Sequence, residues 1–590
     1  MSIPKNTDVR PFTEHKKPQY IWYALFISLF FIFYGDFSAK MEYIANPNVV
    51  NNDARMQVAP FYSAINPELE NDYTLQYMNY ILPMGYKALY RAATPFIDPI
   101  VFSKVISVTL YFISLFLLTI TAKKLEGMPG AFAVLAIALS ASYFYIATAG
   151  GIPRNFGLPL LTAILGALVF GRMLFLGFIT ILGAAFYPMV GLMGGASLFG
   201  VLFILPKDDR GEAKNWSFFK RGAMVFAVGL VSIGLLLPNL AGKEFGRSLV
   251  QADCDTVPEI YGRGGSEWQC QSEFPPLWRQ LVTTGRSAVR VSYKGEPWSP
   301  TLHNLASYHF RNNYGDMVRD DYITIILWGL IFIGVGSRIS KKKESPLRRI
   351  TLLFVISISG YQLSQILLPH LYFPERYTTA IPPLFLLLLP VAASGIFDIA
   401  KKHFSIINKE TMRTGFIISL TIFCLLFLGG KAHRKQHGYD KNLSVYQTYY
   451  DQLKTLPKDA VIADWPKGRI ESVTILTQRQ AFIWKETHLP FNEIYVLNMR
   501  KRMFALIDAY FADSIAPLIK LRDEFGVDYL IIYKPYLKEV DAKYFAPFDE
   551  YSKKKKKAGR VKGFEVFRQI ANAAVFDSPE QVTLDLKLIR

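Results

Sequence analysis

The sequence predicts a polytopic α-helical membrane protein of about eleven transmembrane helices, with a C-terminal α/β domain outside the membrane. Three observations carry that prediction. The 590 residues are 51% hydrophobic and 15% aromatic, with a mean hydropathy of +0.20, more apolar than the charged surface of a water-soluble domain allows. Apolar runs long enough to cross a bilayer recur from residue 20 to residue 430. Beyond that point the pattern changes to short strands alternating with amphipathic helices.

The apolar runs are 20–36, 100–121, 129–149, 155–171, 173–188, 189–206, 223–240, 321–337, 350–369, 379–398 and 413–430. The first follows Lys16 and Lys17 but has no small-residue cleavage site behind its aromatic core, so it is expected to remain as a span. The stretch 155–206 is nearly unbroken. Arg172 and the Tyr187-Pro188 pair are its only punctuation, and the number of crossings there stays open.

Charge orients these runs. The N-terminus carries Lys5, Arg10, Lys16 and Lys17. Lys123-Lys124 and the loops Lys207 to Arg221, Arg338 to Arg349 and Lys401 to Arg413 are also rich in basic residues. Short basic loops stay in the cytoplasm, and an even number of spans separates each pair of them. The opposite face then receives residues 37–99, the turn Gly150 to Arg154, the loop 241–320, the loop His370 to Tyr377 and everything after residue 430. The chain divides into a membrane module over 1–430 and an outer α/β domain over 431–590, with the boundary near Gly429-Gly430. Much of the net charge of +19 sits in the inner loops. With no aromatic-studded basic module and no zinc-finger spacing, nucleic acid is excluded as a partner and membrane lipids are expected.

Within 431–590, Ala460 to Ala463 and Ala481 to Trp484 read as short buried strands, and Val527 to Tyr533 as a third. Ile494 to Phe511 and Ser514 to Phe525 read as helices. The Lys553 to Lys557 run reads as a solvated loop or tip, with contact to anionic lipid headgroups as the lesser reading. Cys254 and Cys270 share one outer loop at a spacing that a disulfide can close; two free thiols are the other reading. Cys424 lies inside an apolar run and reads as a packing residue.

Polar chemistry collects on the outer side. The loop 37–99 is too long for a connector. It holds Glu42, Asp53, Arg55, Glu68, Glu70 and Asp72, and its stretch Tyr73 to Arg91 reads as an amphipathic, tyrosine-rich helix on the membrane surface. Asp53 lies in Asn51-Asn52-Asp53-Ala54-Arg55, where it suits either a base or a local turn cap. Arg154 follows the turn Gly150-Gly151-Ile152-Pro153. Glu375 and Arg376 lie in Tyr372-Phe373-Pro374-Glu375-Arg376-Tyr377, with His370 beside them. Guanidiniums at three outer segments (Arg55, Arg154, Arg376) form a candidate phosphate or pyrophosphate clamp, and an arginine at a helix end also serves as an anchor that reaches the headgroups. There is no GxxxxGK[ST] phosphate loop, no HExxH and no recognisable zinc spacing. Acidic residues are nearly missing from the spans, which weakens the case for an ion-coupled transporter.

This layout resembles the GT-C glycosyltransferases, integral-membrane enzymes that use polyprenyl-phosphate-linked sugars. The resemblance implies a catalytic Asp or Glu in the first outer loop, and Asp53 is the matching position. GGIPRNFGLPLL and YFPERY are similar to outer-loop arginine segments of bacterial members. AFIWKETHLPF, followed by two helices and FGVDYLIIY, resembles the soluble tail of large bacterial proteins of this class. The implied location is the bacterial inner (cytoplasmic) membrane, with the N-terminus cytoplasmic and the C-terminal domain periplasmic or extracellular.

The implied activity is hexosyl or pentosyl transfer from a polyprenyl-phosphate sugar donor to a glycan, lipid or protein acceptor. Asp53 would act as base in one inverting displacement, and Arg376, with Arg154 or Arg55, would hold the lipid phosphate. Glu375, His370 and His488 are further candidate substrate contacts. The tyrosines and tryptophans of 73–91 and 261–299 either stack on sugar rings or belong to an interfacial belt. Many members of the class pair two acids in the first outer loop. Here Asp53 follows two asparagines, and a second acid would come from Glu42 or a later residue. No cofactor is assigned, and a divalent metal stays open. Two other classes remain: an O-antigen ligase or polymerase resting on outer arginines and a histidine, and a non-enzymatic membrane scaffold or glycan transporter.

Overall fold

The structure, a computed structural model, describes residues 44–262, 276–289, 316–340, 346–367, 374–400, 441–538, 542–562 and 564–590, with isolated positions between 26 and 42 and between 414 and 421. The expected spans 20–36 and 413–430 therefore lie outside the described residues, apart from those isolated positions.

The segment expected as the first outer loop is a chain of short elements: β1 (Val49–Val50), α1 (Asn52–Val58), α2 (Tyr73–Ile81) and α3 (Met84–Ala93). Asp72 caps α2, its Oδ1 accepting from the amides of Thr74 at 2.8 Å and Leu75 at 3.2 Å. Pro83 separates α2 from α3, because proline disfavours helical backbone at the residue before it. The expected single surface helix is thus two. Their tyrosines are core: Tyr77, Tyr86 and Tyr90 are buried. Tyr77 stacks on Tyr495 with ring centroids 3.5 Å apart and planes 11° from parallel.

The membrane region begins with α4 (Pro99–Ser140), which bends at Gly127 (φ +68) just ahead of Pro129. The expected runs 100–121 and 129–149 are largely its two arms. The continuous stretch 155–206 resolves into α5 (Gly157–Phe170), α6 (Met173–Phe186) and α7 (Pro188–Phe199). Gly171 in the left-handed region ends α5, and the extended Tyr187 ahead of Pro188 separates α6 from α7. There follow α8 (Phe218–Ala241), α9 (Leu277–Val289), α10 (Asp316–Ile339), α11 (Pro346–Ile366) and α12 (Ile381–Ala400).

Among the described residues, four helical stretches are long and apolar enough to cross a membrane: Pro99–Leu139, Pro153–Phe170, Phe218–Pro238 and Pro374–Ile399. The last is almost wholly buried and forms the centre of the bundle. Phe218–Pro238 is the reverse. It turns Phe219, Phe226, Leu230, Ile233 and Leu237 outward, a run of exposed apolar side chains that water would not tolerate and lipid would.

Of the basic segments expected to share a face, the N-terminus and Lys401 to Arg413 lie outside the described residues, and the flanks of the other three gather at one end. Arg348 reaches Asp209 at 2.9 Å, and Arg349 donates to the Val169 and Asp209 carbonyls at 3.2 and 2.9 Å, closing the C-terminus of α5. Glu126, just after Lys123-Lys124, pairs with Arg338 and accepts from Ser394 Oγ at 2.6 Å. At the other end, β1 pairs antiparallel with β2 (Lys441–Asn442), so the first loop and the start of the C-terminal region share a side.

The C-terminal region holds α13 (Gln447–Lys454), β3 (Val461–Ala463), β4 (Gln480–Ala481), α14 (Glu493–Tyr510), α15 (Ala516–Phe525), β5 (Tyr529–Tyr533), α16 (Phe548–Val561), β6 (Ala574–Asp577) and β7 (Gln581–Asp585). The sheet order is β4-β3-β5-β7-β6. The first three strands are parallel, and β7 and β6 join antiparallel at the edge. The Lys553 to Lys557 run is not a loop. It lies within α16, where Lys555 pairs with Asp508 at 2.7 Å and Lys556 is buried.

Candidate active site

Asp53 occupies the first turn of α1. Asn51 is its N-cap, the side-chain oxygen accepting from the amides of Asp53 at 3.1 Å and Ala54 at 3.2 Å. The same oxygen lies against Gly150, close enough that a Cβ there would meet it at 3.0 Å. The turn that carries Arg154 is therefore packed directly on the cap of the helix that carries Asp53.

The glycine pair makes this packing feasible. Gly150 and Gly151 both have positive φ, +105 and +60. The Gly150 amide donates to Ser107 Oγ at 2.9 Å, and the Gly151 carbonyl accepts from the Tyr90 hydroxyl at 2.8 Å. A Cβ on Gly151 would run into the Ser103 carbonyl. Asn155 then folds the turn back: its Oδ1 accepts from the Ile152 amide at 3.0 Å and its Nδ2 donates to the Ala147 carbonyl at 2.9 Å. The short helix Pro153–Phe156 presents Arg154, whose Nη2 donates to Asp53 Oδ2. Side chains from two distant segments meet there with Asp53 28% and Arg154 40% exposed.

Arg376 belongs to the same neighbourhood. It lies in the turn Pro374–Ala380 ahead of α12, half-buried. Both Arg376 and Arg154 act electrostatically on Tyr187, and Arg376 also acts on Tyr143. Tyr187 lies against Gly157, three residues after Arg154, where a Cβ would meet its ring at 3.1 Å. Tyr143 donates to the Thr379 carbonyl at 3.2 Å. Asp53 and Arg154 thus meet in a polar cluster at one end of α5, α6 and α12, with Arg376 on the neighbouring turn close enough for its charge to be felt at Tyr187.

The remaining expected residues fall elsewhere. Arg55 is 2% exposed. It donates to Glu471 at 2.8 Å and to Ser472 Oγ at 3.1 Å, and closes on Asn52 of its own helix. Its guanidinium faces the C-terminal region rather than the cluster. His488 is 0% exposed and lies among Tyr544, Phe545 and Phe548, with Nδ1 3.4 Å from the Tyr544 hydroxyl. It belongs to the core of the C-terminal region. Glu375 is exposed next to Arg376. His370 lies outside the described residues. Cys254 is buried and disulfide-bonded, and its expected partner Cys270 lies outside the described residues.

Two participants were missed in the sequence. Tyr187 stands out there only as a helix break before Pro188. Glu471 has no local signal at all, since its contact with Arg55 spans 416 positions. Burial pushes the Glu471 carboxyl up, Arg55 pulls it down, and Glu486 beside it pushes it up again. Among the described residues, no three His, Cys, Asp or Glu side chains gather as metal ligands. The Asp53 carboxylate is balanced by a guanidinium.

No family model matches the chain, and no curated protein matches it. Among solved structures it is similar in layout to an archaeal oligosaccharyltransferase. That structure, AglB from Archaeoglobus fulgidus in complex with an inhibitory peptide and a dolichol-phosphate, shares 9% identity, covering 88% of this chain and 70% of that one at a TM-score of 0.48. ArnT from Cupriavidus metallidurans bound to undecaprenyl phosphate also shares 9% identity, covering 96% and 97% of the two chains at a TM-score of 0.49. Its apo state gives 8% identity and a TM-score of 0.47, covering 97% and 98%. At TM-scores below 0.5 these are likenesses of layout and assign no residue.

Proposed function

We propose that the chain is a membrane glycosyltransferase of the GT-C type, moving a sugar from a polyprenyl-phosphate donor to an acceptor on the outer face of the membrane. The observation that carries this reading is the Asp53–Arg154 contact beside Tyr187 and Arg376. A carboxylate and a guanidinium meet there, with a second guanidinium on the neighbouring turn, and this supports a site at the end of an apolar bundle where a lipid-linked phosphate would arrive.

The chemistry divides between them. An acceptor O–H or N–H nucleophile attacks the anomeric carbon from the face opposite the phosphate, and Asp53 takes its proton. The bond between the anomeric carbon and the phosphate oxygen breaks, and its electron pair stays on that oxygen. Arg154 and Arg376 stabilise the charge that grows there, which is where cationic groups lower the barrier. The configuration inverts, and polyprenyl phosphate leaves. The C-terminal region lies on the same side as Asp53 and would hold the acceptor.

Undecaprenyl phosphate added to the purified protein tests the placement by cryo-electron microscopy. The reading expects phosphate density within hydrogen-bond reach of Arg154 and Arg376. Phosphate bound elsewhere on the bundle, away from both arginines, would overturn it.

A further inference from the structure

Asp53 and Arg55 are two residues apart on one helix, which places them about 200° apart around its axis. They cannot both face one ligand. The structure obeys that geometry: Asp53 turns to Arg154, and Arg55 turns away to Glu471 and Ser472 in the short helix Arg469–Ser472. The helix that carries them, α1, spans only seven residues. A helix that short has no stability of its own in water, so its position and rotation are set by its tertiary contacts.

Two of those contacts are specific, one of close packing and one polar. On one side the Asn51 cap seats the helix against Gly150. On the other, Arg55 is nearly sealed from solvent, and its guanidinium reaches Glu471, Ser472 and Asn52. A buried guanidinium separated from its carboxylate is strongly disfavoured, so rotation of α1 is resisted as long as the C-terminal region is docked.

We infer that Arg55, Glu471 and Ser472 are positioning residues through which the C-terminal region sets the orientation of the Asp53 carboxylate. This rests on the reading of Asp53 as the base. It gives the C-terminal region a part in the chemistry beyond acceptor binding: an acceptor that shifts the Arg469–Ser472 segment would shift the base with it. A displacement of about 1 Å at a reacting group is enough to cost on the order of a hundredfold in rate.

The full-length chain in lipid nanodiscs tests this with two readouts. The first is hydrogen exchange of the amides from Asp53 to Val58. The second is turnover of undecaprenyl-phosphate-linked sugars, measured as released undecaprenyl phosphate. Glu471→Gln is expected to speed that exchange about tenfold, since the protection of a short element follows its local stability. It should lower kcat by about tenfold or more while KM for the donor stays within about twofold. Ser472→Ala, which leaves the Glu471 ion pair in place and removes the Ser472 hydroxyl from Arg55 and from Tyr450, should move both readouts the same way by less, and serves if Glu471→Gln fails to fold. Unchanged exchange at these amides would overturn the inference. So would a loss of more than about tenfold in undecaprenyl phosphate affinity on Arg55→Lys, because that would return Arg55 to the phosphate clamp. If the wild-type chain turns over none of these donors, the glycosyltransferase reading fails by that result, whereas faster exchange in Glu471→Gln still supports the positioning unit.

Discussion

Arg154 Nη2 donates to Asp53 Oδ2, joining the turn before α5 to the first turn of α1. Both side chains are partly open to solvent. Ion pairs of that kind contribute only about 0–1 kcal/mol, so this one can be exchanged. A donor phosphate reaching Arg154 would take over its hydrogen bonds and release Asp53 to accept a proton. On the proposed function, the pair is the resting arrangement of a site whose base and clamp hold each other until substrate separates them.

Replacing Arg154 with Gln should therefore weaken undecaprenyl phosphate binding by about tenfold or more, the worth of a charge-assisted hydrogen bond. It should leave the melting temperature nearly unchanged. Titration of the purified variant with undecaprenyl phosphate reads the first effect and a thermal melt the second. Wild-type affinity in Arg154→Gln would remove this residue from the clamp.

Gly151→Ala should disturb the site without touching it. Gly151 has φ +60, and a Cβ there meets the Ser103 carbonyl, so the turn has to move or strain by about 1–3 kcal/mol. The expected result is a lower melting temperature together with weaker undecaprenyl phosphate binding, since Arg154 moves with the turn. Gly195→Ala is the control. Its new Cβ would find Thr180 at an ordinary 3.7 Å, and little should change.

Tyr77 and Tyr73 both stack on Tyr495, tying the segment that carries α2 to α14. Tyr77 also donates to Asn492 Oδ1 at 2.9 Å. Tyr77→Phe should cost about 1 kcal/mol through the lost hydrogen bond, and Tyr77→Ala about 3–5 kcal/mol through the cavity. Thermal melts of the two variants read the order, and equal melting temperatures would contradict it.

A pH effect follows from Asp253. Its hydrogen bonds with Arg247, first, and with the Val250 amide hold the carboxyl down to about 2, against an ordinary 3.8. A lowered carboxyl stabilises the fold above its unfolded pKa, and the benefit is lost as pH falls through the folded one. The segment around Leu249, Cys254, Val257 and Ile260, which packs on Val496 of α14, should thus stay docked at pH 5 and loosen between about pH 4 and pH 2. Pepsin works across that window, so cleavage within residues 241–262 should rise as the pH falls. Asp253→Asn should flatten the dependence. A wild-type profile already flat would contradict the assignment.

Much of the C-terminal region was legible because its signals are local. The strand at Val527 to Tyr533 and the helix starting near Ile494 announce themselves by period and length, and they appear as Tyr529–Tyr533 and Glu493–Tyr510. The hairpin of β6 and β7 was missed, although the β-branched residues on either side of Ser578-Pro579-Glu580 carried a strand signal. Lys553 to Lys557 misled because a run of like charges reads as solvated chain, while Phe548 and Ser552 on the buried side of the helix hold it in place. At the site, Asp53 and Arg154 were singled out from residue type and from the side that charge suggests, and the fold brings the two into contact. The direction of Arg55 was not: it depends on which face of α1 meets Glu471, and that is decided by contacts far apart in the chain.

Asp53→Asn tests the central claim most directly. The measurement is turnover of undecaprenyl-phosphate-linked sugars by full-length protein, read as released undecaprenyl phosphate. Asparagine keeps the shape and cannot take the acceptor proton. The account predicts a loss of about 10²–10⁴-fold in rate, with thermal stability and undecaprenyl phosphate binding close to those of the wild type. Turnover at the wild-type rate in Asp53→Asn would contradict it.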